Sequence, residues 1–269
     1  MKEIETKLKN LEKILKEMQS ILIAFSGGVD STFLVKVAHD ILGKEVLAVT
    51  AQSPSYPDSE LQEARELAHK IGIEHLIIDS EELDNEDFAK NPPRRCYFCK
   101  KELFSKLVSL AGEKEIRWVA DATNSDDEDD FRPGREAAKE LKIRSPLLEA
   151  ELDKNDIRRL SKELGLSTWD KPAYACLASR FPYGERITEE KLDKVDKAEA
   201  FLKNLGFRQL RLRHHDSLAR IEVNKEDIPA LLDEKRRKKI IAYLKNLGYR
   251  YITLDLQGYR TGSMNETLK

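Results

Sequence analysis

Residues 21–31, ILIAFSGGVDS, constrain the fold more than any other stretch of the chain. The run from Ile21 to Phe25 is short, apolar and partly β-branched, the pattern of a buried strand. Ser26-Gly27-Gly28 then permits a tight turn, and apolar residues recur at helical spacing over 32–38. A strand, a glycine turn and a helix start in immediate succession aim backbone N–H groups and the positive end of a helix dipole at one point. That point suits a phosphate or pyrophosphate. The loop has neither the Gly-Lys-Ser/Thr ending of a Walker loop nor the spacing of a GxGxxG dinucleotide turn.

The chain around this loop predicts an α/β fold with a Rossmann-like, doubly wound parallel sheet. A helix over 1–20 carries Ile4, Leu8, Leu11, Leu15 and Met18 on one face. Strands are predicted at 45–50, 74–79 and 117–120, with helices at 59–71 and 102–111 between them. Ligands of such sheets bind beyond the carboxyl ends of the strands. The segment Ala51-Gln52-Ser53-Pro54, after the second strand, is a natural rim for a base or ribose. After the fourth strand comes the acidic run 126–130. Asp129 or Asp130 would there hold magnesium accompanying ATP, and a solvated loop explains the run equally well.

Further along, a helix is predicted at 135–141, an extended segment at 145–148 and an amphipathic helix at 153–164. Residues 168–184 are too punctuated by proline and glycine for a regular element and read as a functional loop. Composition changes after Arg186, which predicts two domains, 1–186 and 187–269. The second is a small α+β layer with helices at 188–205 and 226–246, strands at 207–213, 218–223 and 249–256, and an internal echo. Phe201-Leu202-Lys203-Asn204-Leu205-Gly206-Phe207 returns as Tyr243-Leu244-Lys245-Asn246-Leu247-Gly248-Tyr249. In Gln209-Leu210-Arg211-Leu212-Arg213 leucine alternates with arginine, so Arg211 and Arg213 are expected on the face opposite the core. Beside His214 and His215 they can grip a phosphate, though a solvated strand face fits the same spacing.

A net charge of −2 argues against bulk binding to nucleic acid or membrane surfaces. No apolar run reaches the length of a membrane span, and residues 1–19 form a charged amphipathic helix rather than a signal peptide, so a cytoplasmic protein is expected. The three cysteines are too few and odd in number for a disulfide framework. Cys96-x-x-Cys99 has chelating spacing, and Cys176 lies on a separate loop. Three thiolates suit an iron–sulfur cluster with one iron left open, whereas structural zinc wants four ligands. A redox CxxC pair, or three thiols of which one is reactive, also fits.

The Ser26–Ser31 loop resembles the PP-loop of ATP pyrophosphatases. A more specific resemblance runs through Arg95-Cys96-Tyr97-Phe98-Cys99-Lys100, Ala122-Thr123-Asn124-Ser125-Asp126-Asp127, Phe131-Arg132-Pro133-Gly134, Arg144-Ser145-Pro146-Leu147, Trp169-Asp170-Lys171-Pro172 and Cys176-Leu177-Ala178-Ser179-Arg180-Phe181-Pro182-Tyr183-Gly184. Together with the loop, and in this order along nearly the whole chain, these segments resemble the LarE family. Its members are ATP-dependent sulfur transferases that make the nickel-pincer nucleotide cofactor of lactate racemase.

The resemblance implies that a carboxylate of pyridinium-3,5-biscarboxylic acid mononucleotide attacks the α-phosphate of ATP, and that the acyl-adenylate becomes a thiocarboxylate. It implies Ser26, Gly27, Gly28, Asp30 and Ser31 at the pyrophosphate and Mg²⁺, and Ala24, Thr50 and Ser53 near the adenosine. Asn124 and Arg180 would join the binding site through their motifs, and Arg211 and Arg213 would hold the substrate phosphate. Lys101 would neutralise charge on the adenylate, although a solvated lysine at a helix start fits as well. For sulfur, one form of the family sacrifices the cysteine matching Cys176. Another resembles iron–sulfur tRNA thiolases and holds a [4Fe-4S] cluster on three cysteines, here Cys96, Cys99 and Cys176, which receives sulfide from a donor. Because the sacrificing form lacks the pair matching Cys96 and Cys99, the resemblance favours the cluster here, with sacrifice of Cys176 or a PP-loop tRNA thiolase as the alternatives. The expected partners are a small-molecule mononucleotide and further copies of the chain, a hexamer by resemblance, with no nucleic acid and no membrane.

Overall fold

The computed structural model describes residues 2–127, 133–172, 174–260 and 262–268. They fall into two compact units, Met1–Phe88 with Arg94–Tyr174, and Ala89–Pro93 with Ala175–Lys269. The predicted divide at 186/187 lies inside the second unit. Asp129 and Asp130 lie outside the described residues.

The first unit is built on a parallel sheet of β1 (Ile21–Ala24), β2 (Val46–Gln52), β3 (Glu74–Asp79) and β4 (Trp118–Ala120) in the order β3-β2-β1-β4. Ile21 lies opposite both Val46 and Trp118. Alternate residues serve opposite faces. Ile21, Ile23, Val46 and Ala48 join a core with α1 (Lys2–Met18), α2 (Val29–Leu42) and α3 (Asp58–Ile71). Leu22, Leu47, Val49 and Val119 face the other way, against Phe104, Leu107, Ala137 and Ala138. Helices cover both faces, as the apolar strands require.

After the short turn α4 (Glu86–Ala89) come α5 (Arg95–Glu113), α6 (Gly134–Glu140), α7 (Pro146–Glu149) and α8 (Lys154–Glu163). Two of these depart from expectation. Helix α5 begins seven residues early and takes in the cysteine pair, and residues 146–149 form a helical turn instead of an extended segment. Pro146 explains the latter: at the first helical position its fixed φ favours the turn and its missing N–H costs nothing. Helix α8 starts with a capping box between Asp153 and Asp156.

Chain order reverses between β1 and β4, which are neighbours in the sheet but distant in sequence. A crevice opens at such a switch point beyond the strands' carboxyl ends. The glycine loop after β1 and the turn after β4 flank it.

The second unit carries α9 (Glu189–Asn204), β5 (Leu210–His215), β6 (Leu218–Val223), α10 (Ile228–Leu232), α11 (Glu234–Asn246) and β7 (Tyr251–Leu254), with sheet order β5-β6-β7. β5 and β6 are antiparallel, β6 and β7 parallel. The internal echo has a structural counterpart. α9 and α11 both end before a glycine of positive φ, Gly206 and Gly248, and the equivalent Phe201 and Tyr243 rings stack at 4.0 Å.

Candidate functional site

The glycine loop is shaped for close approach. Gly27 has φ +62°, and a Cβ there would come within 3.2 Å of the Ala64 Cβ on α3. Only glycine meets both demands. Gly28 is the N-cap of α2 and has no side chain with which to satisfy the first-turn N–H groups, so these suit an anion. Ser31 folds back onto the loop: its Oγ accepts from the Ser26 N–H at 3.3 Å and lies 3.2 Å from Ser26 Oγ.

Asp30 sits in the first turn of α2. Its Oδ2 pairs with Lys154 of α8, while its Oδ1 is buried without a hydrogen-bond partner. A buried carboxylate oxygen lacking a donor is costly. A hard, oxygen-seeking cation such as Mg²⁺ would satisfy it.

Along the rim, Ala24 ends β1. The Thr50 hydroxyl donates to the Phe25 carbonyl at 2.7 Å and lies 2.8 Å from His75 Nε2. Ser53 donates to the buried Glu82 carboxylate at 2.9 Å, and Ser55 shares that acceptor. The Thr50 hydroxyl thus ties β2 to the residue that follows β1, and the Ser53 hydroxyl is engaged by Glu82. After β4, Asn124 is buried; its Oδ1 accepts from the Asp126 N–H at 3.0 Å, and its own N–H donates to Asp127. It builds the turn beside the switch point.

Cys96 and Cys99 lie in the first turns of α5, three residues apart and hence on one helix face. Cys96 is exposed, Cys99 and Cys176 are half-buried, and none forms a disulfide. Cys176 precedes the 3₁₀ turn Leu177–Arg180 in the second unit. Among the described residues, no group of three or more His, Cys, Asp or Glu side chains already stands in metal-holding positions.

Several predicted ligand residues already have protein partners. Arg180 is fully buried and makes a two-pronged ion pair with Glu199 at 2.8 and 2.9 Å, while donating to the Ala175 and Cys176 carbonyls at 2.7 and 3.2 Å. The expected open face of β5 is covered: Arg211 and Arg213 are 5% and 8% exposed. Arg213 grips Glu222 at 3.0 and 2.8 Å and donates to the Ser179 carbonyl at 2.8 Å. Arg211 donates to the Leu210 carbonyl and lies over the Tyr259 ring. Burial pushes His214 down to about 4 and lowers His215, so neither carries charge for a phosphate near neutral pH. Lys101 is half exposed and bonded to Tyr97 and Glu140, partners on α5 and α6 that raise its pKa.

Comparison with known proteins places these features. The NAD synthase family matches residues 2–95, the part containing the glycine loop. An uncharacterized protein of Synechocystis is 46% identical over 98% of this chain and 99% of its own length. The pyridinium-3,5-bisthiocarboxylic acid mononucleotide synthase of Lactiplantibacillus plantarum, a LarE, is 39% identical over 100% of this chain and 97% of its own. The chain belongs to the LarE family. A tRNA-specific 2-thiouridylase of Rickettsia africae is 25% identical over 58% of this chain and 53% of its own, a likeness through the shared PP-loop architecture. LarE proteins are sulfur transferases of this ATP-using class. In this LarE chain no helix among the described residues is long and apolar enough to cross a membrane.

Three site residues escaped the sequence reading: Tyr56, Lys154 and Lys171. Lys171 carried a signal, since it stands in the Trp169–Pro172 motif. Lys154 pairs with Asp30 across 124 positions and Tyr56 reaches Ser26 across 30, and nothing local marks either.

Proposed function

We propose that this protein adenylates the carboxylates of pyridinium-3,5-biscarboxylic acid mononucleotide with ATP and converts them to thiocarboxylates. The end-to-end likeness to the named L. plantarum synthase carries the reading, and the glycine loop with Asp30 supplies a chemical basis for the first half. A substrate carboxylate oxygen attacks the α-phosphorus, the bond to the β-phosphate bridging oxygen breaks, and pyrophosphate leaves. Charge gathers on that leaving group, where the N–H groups of the loop and the α2 dipole stabilise it; Asp30 would hold a Mg²⁺ that adds further positive charge there. Sulfide then adds to the acyl carbon and AMP departs with the bonding pair, which succeeds because AMP is a far better leaving group than oxide.

For sulfur we favour a [4Fe-4S] cluster on Cys96, Cys99 and Cys176. Thiolate donors are the right chemistry, and the i, i+3 spacing on α5 suits two of its ligands. Such a cluster, when bound, supplies an open iron able to carry sulfide. The chain's own part is to hold the cysteines and keep the Cys176 loop ordered through Arg180. We assign the protein to the cytoplasm, as a homo-oligomer, with the net charge of −2 weighing against a tRNA substrate.

Pyrophosphate release from ATP, measured with and without the pyridinium mononucleotide, tests the assignment; stimulation by that compound is expected, and release indifferent to it would overturn the reading. Anaerobic reconstitution tests the sulfur route: about four irons per chain are expected, whereas loss of the Cys176 sulfur to dehydroalanine after one turnover, read by intact mass, would mean sacrifice of that residue.

A further inference from the structure

Two consecutive peptide groups of the glycine loop are held from behind. The Tyr56 hydroxyl donates to the Ser26 carbonyl at 2.8 Å, and the Lys171 ammonium donates to the Gly27 carbonyl at 3.1 Å. There are no cis peptides among the described residues, and in a trans peptide the carbonyl and the following N–H point in opposite directions. Holding the Ser26 carbonyl toward Tyr56 therefore turns the Gly27 N–H away from Tyr56. Holding the Gly27 carbonyl toward Lys171 turns the Gly28 N–H away from Lys171. Glycine peptides flip readily when unrestrained, so the orientation of these two N–H groups needs an external cause.

Lys171 is fitted for this task rather than for contacting phosphate. Its ammonium is paired with Glu60 and Glu63, each at 2.8 Å, and its side chain is 13% exposed. Glu60, Glu63 and Ala64 all lie on α3, so this helix backs the loop both through Lys171 and through the Ala64 approach to Gly27. Burial first, then Glu60 and Glu63, raises the Tyr56 phenol above its ordinary value, and it remains a donor across the physiological range.

We propose that Tyr56 and Lys171 are positioning residues that clamp the Ser26 and Gly27 peptides, so that the Gly27 and Gly28 N–H groups are preset for the pyrophosphate of ATP. The inference rests on the ATP-using reading above and deepens it. Preset donors need no reorganisation when the charge develops, which is the condition for electrostatic stabilisation of a leaving group.

The test uses the full chain and inorganic pyrophosphate with Mg²⁺, titrated calorimetrically, beside the KM for ATP. Tyr56→Phe removes one hydroxyl and keeps the ring; Lys171→Met removes the ammonium and keeps the stem. Each is expected to weaken pyrophosphate binding about five- to tenfold, the size of one lost hydrogen bond, and to raise the KM for ATP in step; Tyr56→Phe should keep the thermal midpoint near that of the parent, whereas Lys171→Met, which leaves the buried Glu60 carboxylate without this cation, should lower it. Wild-type affinity in Tyr56→Phe would overturn the clamp. So would a loss confined to Lys171→Met, because the ammonium would then be touching phosphate itself. If the unsubstituted protein neither binds pyrophosphate nor releases it from ATP, the ATP reading fails instead.

Discussion

Replacing Arg180 by methionine separates a ligand-binding arginine from one that holds the protein together. The guanidinium is fully buried, its partner Glu199 is 1% exposed, and the two meet in paired bonds of 2.8 and 2.9 Å. Methionine fills much of the volume but leaves the Glu199 charge in the interior with the Leu212 N–H, at 2.8 Å, as a remaining donor. It also strips a donor from the carbonyls of Ala175 and Cys176. Breaking a buried pair from one side costs about 3–5 kcal/mol. At about 2–4 °C per kcal/mol for a chain of this size, the unfolding midpoint falls by about 10 °C. The double variant Arg180→Met/Glu199→Leu should recover part of this, since the stranded charge goes with its partner, but not all, because the Leu212 N–H loses its acceptor. Thermal and urea melts read both variants. An Arg180→Met protein within about 1 kcal/mol of the parent would refute the argument and return Arg180 to the list of ligand residues.

Gly27→Ala should cost about 1–3 kcal/mol of stability from the left-handed backbone alone, more with the Ala64 clash, and should abolish measurable pyrophosphate binding; a denaturant melt and a titration together check it. Stability should fall as pH drops from 6.5 toward 4. Folded His214 resists protonation to about 4 while the unfolded chain takes up a proton near 6.5, so the unfolded state binds more protons throughout that window and the full loss, about 3 kcal/mol, is reached below it. Melts of His214→Gln between pH 7 and 5 should show a shallower slope, and an unchanged slope would remove His214 as the cause. Cys99→Ala, reconstituted anaerobically beside the parent, should lose the iron-linked absorbance and most bound iron; parental iron content would exclude Cys99 as a ligand.

The legible parts of this protein are those in which cause and effect are close in sequence. β1, the glycine turn and α2 are written in consecutive residues, and β3 spans the predicted 74–79 because its apolar run stops at Asp79. The start of the cysteine helix is not legible because Arg94-Arg95-Cys96 carries no capping residue, and α5 indeed begins without a side-chain cap. Tyr56, Lys154 and Lys171 were illegible because each acts on an atom far away in the chain, and a lysine that ends in a carbonyl and two carboxylates looks in sequence like any surface lysine. The alternation Leu210-Arg211-Leu212-Arg213 correctly placed the arginines on one face, yet alternation does not say what covers that face. Here it is covered, and β5 is buried almost throughout.

What those arginines do follows from their second partners. Arg180 reaches the carbonyls of Ala175 and Cys176, and Arg213 reaches that of Ser179. Each is charge-balanced by its own carboxylate, Glu199 on α9 or Glu222 on β6. The turn bearing Cys176 is therefore fastened at both ends to the α+β layer, and a phosphate arriving at Arg213 would have to displace the paired grip of Glu222. Buried, balanced and bonded to backbone, these side chains hold the backbone of the turn that carries the thiol. Arg213→Met should accordingly loosen the turn and speed alkylation of Cys176, while the rates at Cys96 and Cys99, which sit in the other unit, stay as they were. Site-resolved mass spectrometry after brief iodoacetamide exposure separates the three thiols. A Cys176 rate equal to that of the parent, with substrate affinity reduced, would show that Arg213 serves the ligand and not the loop.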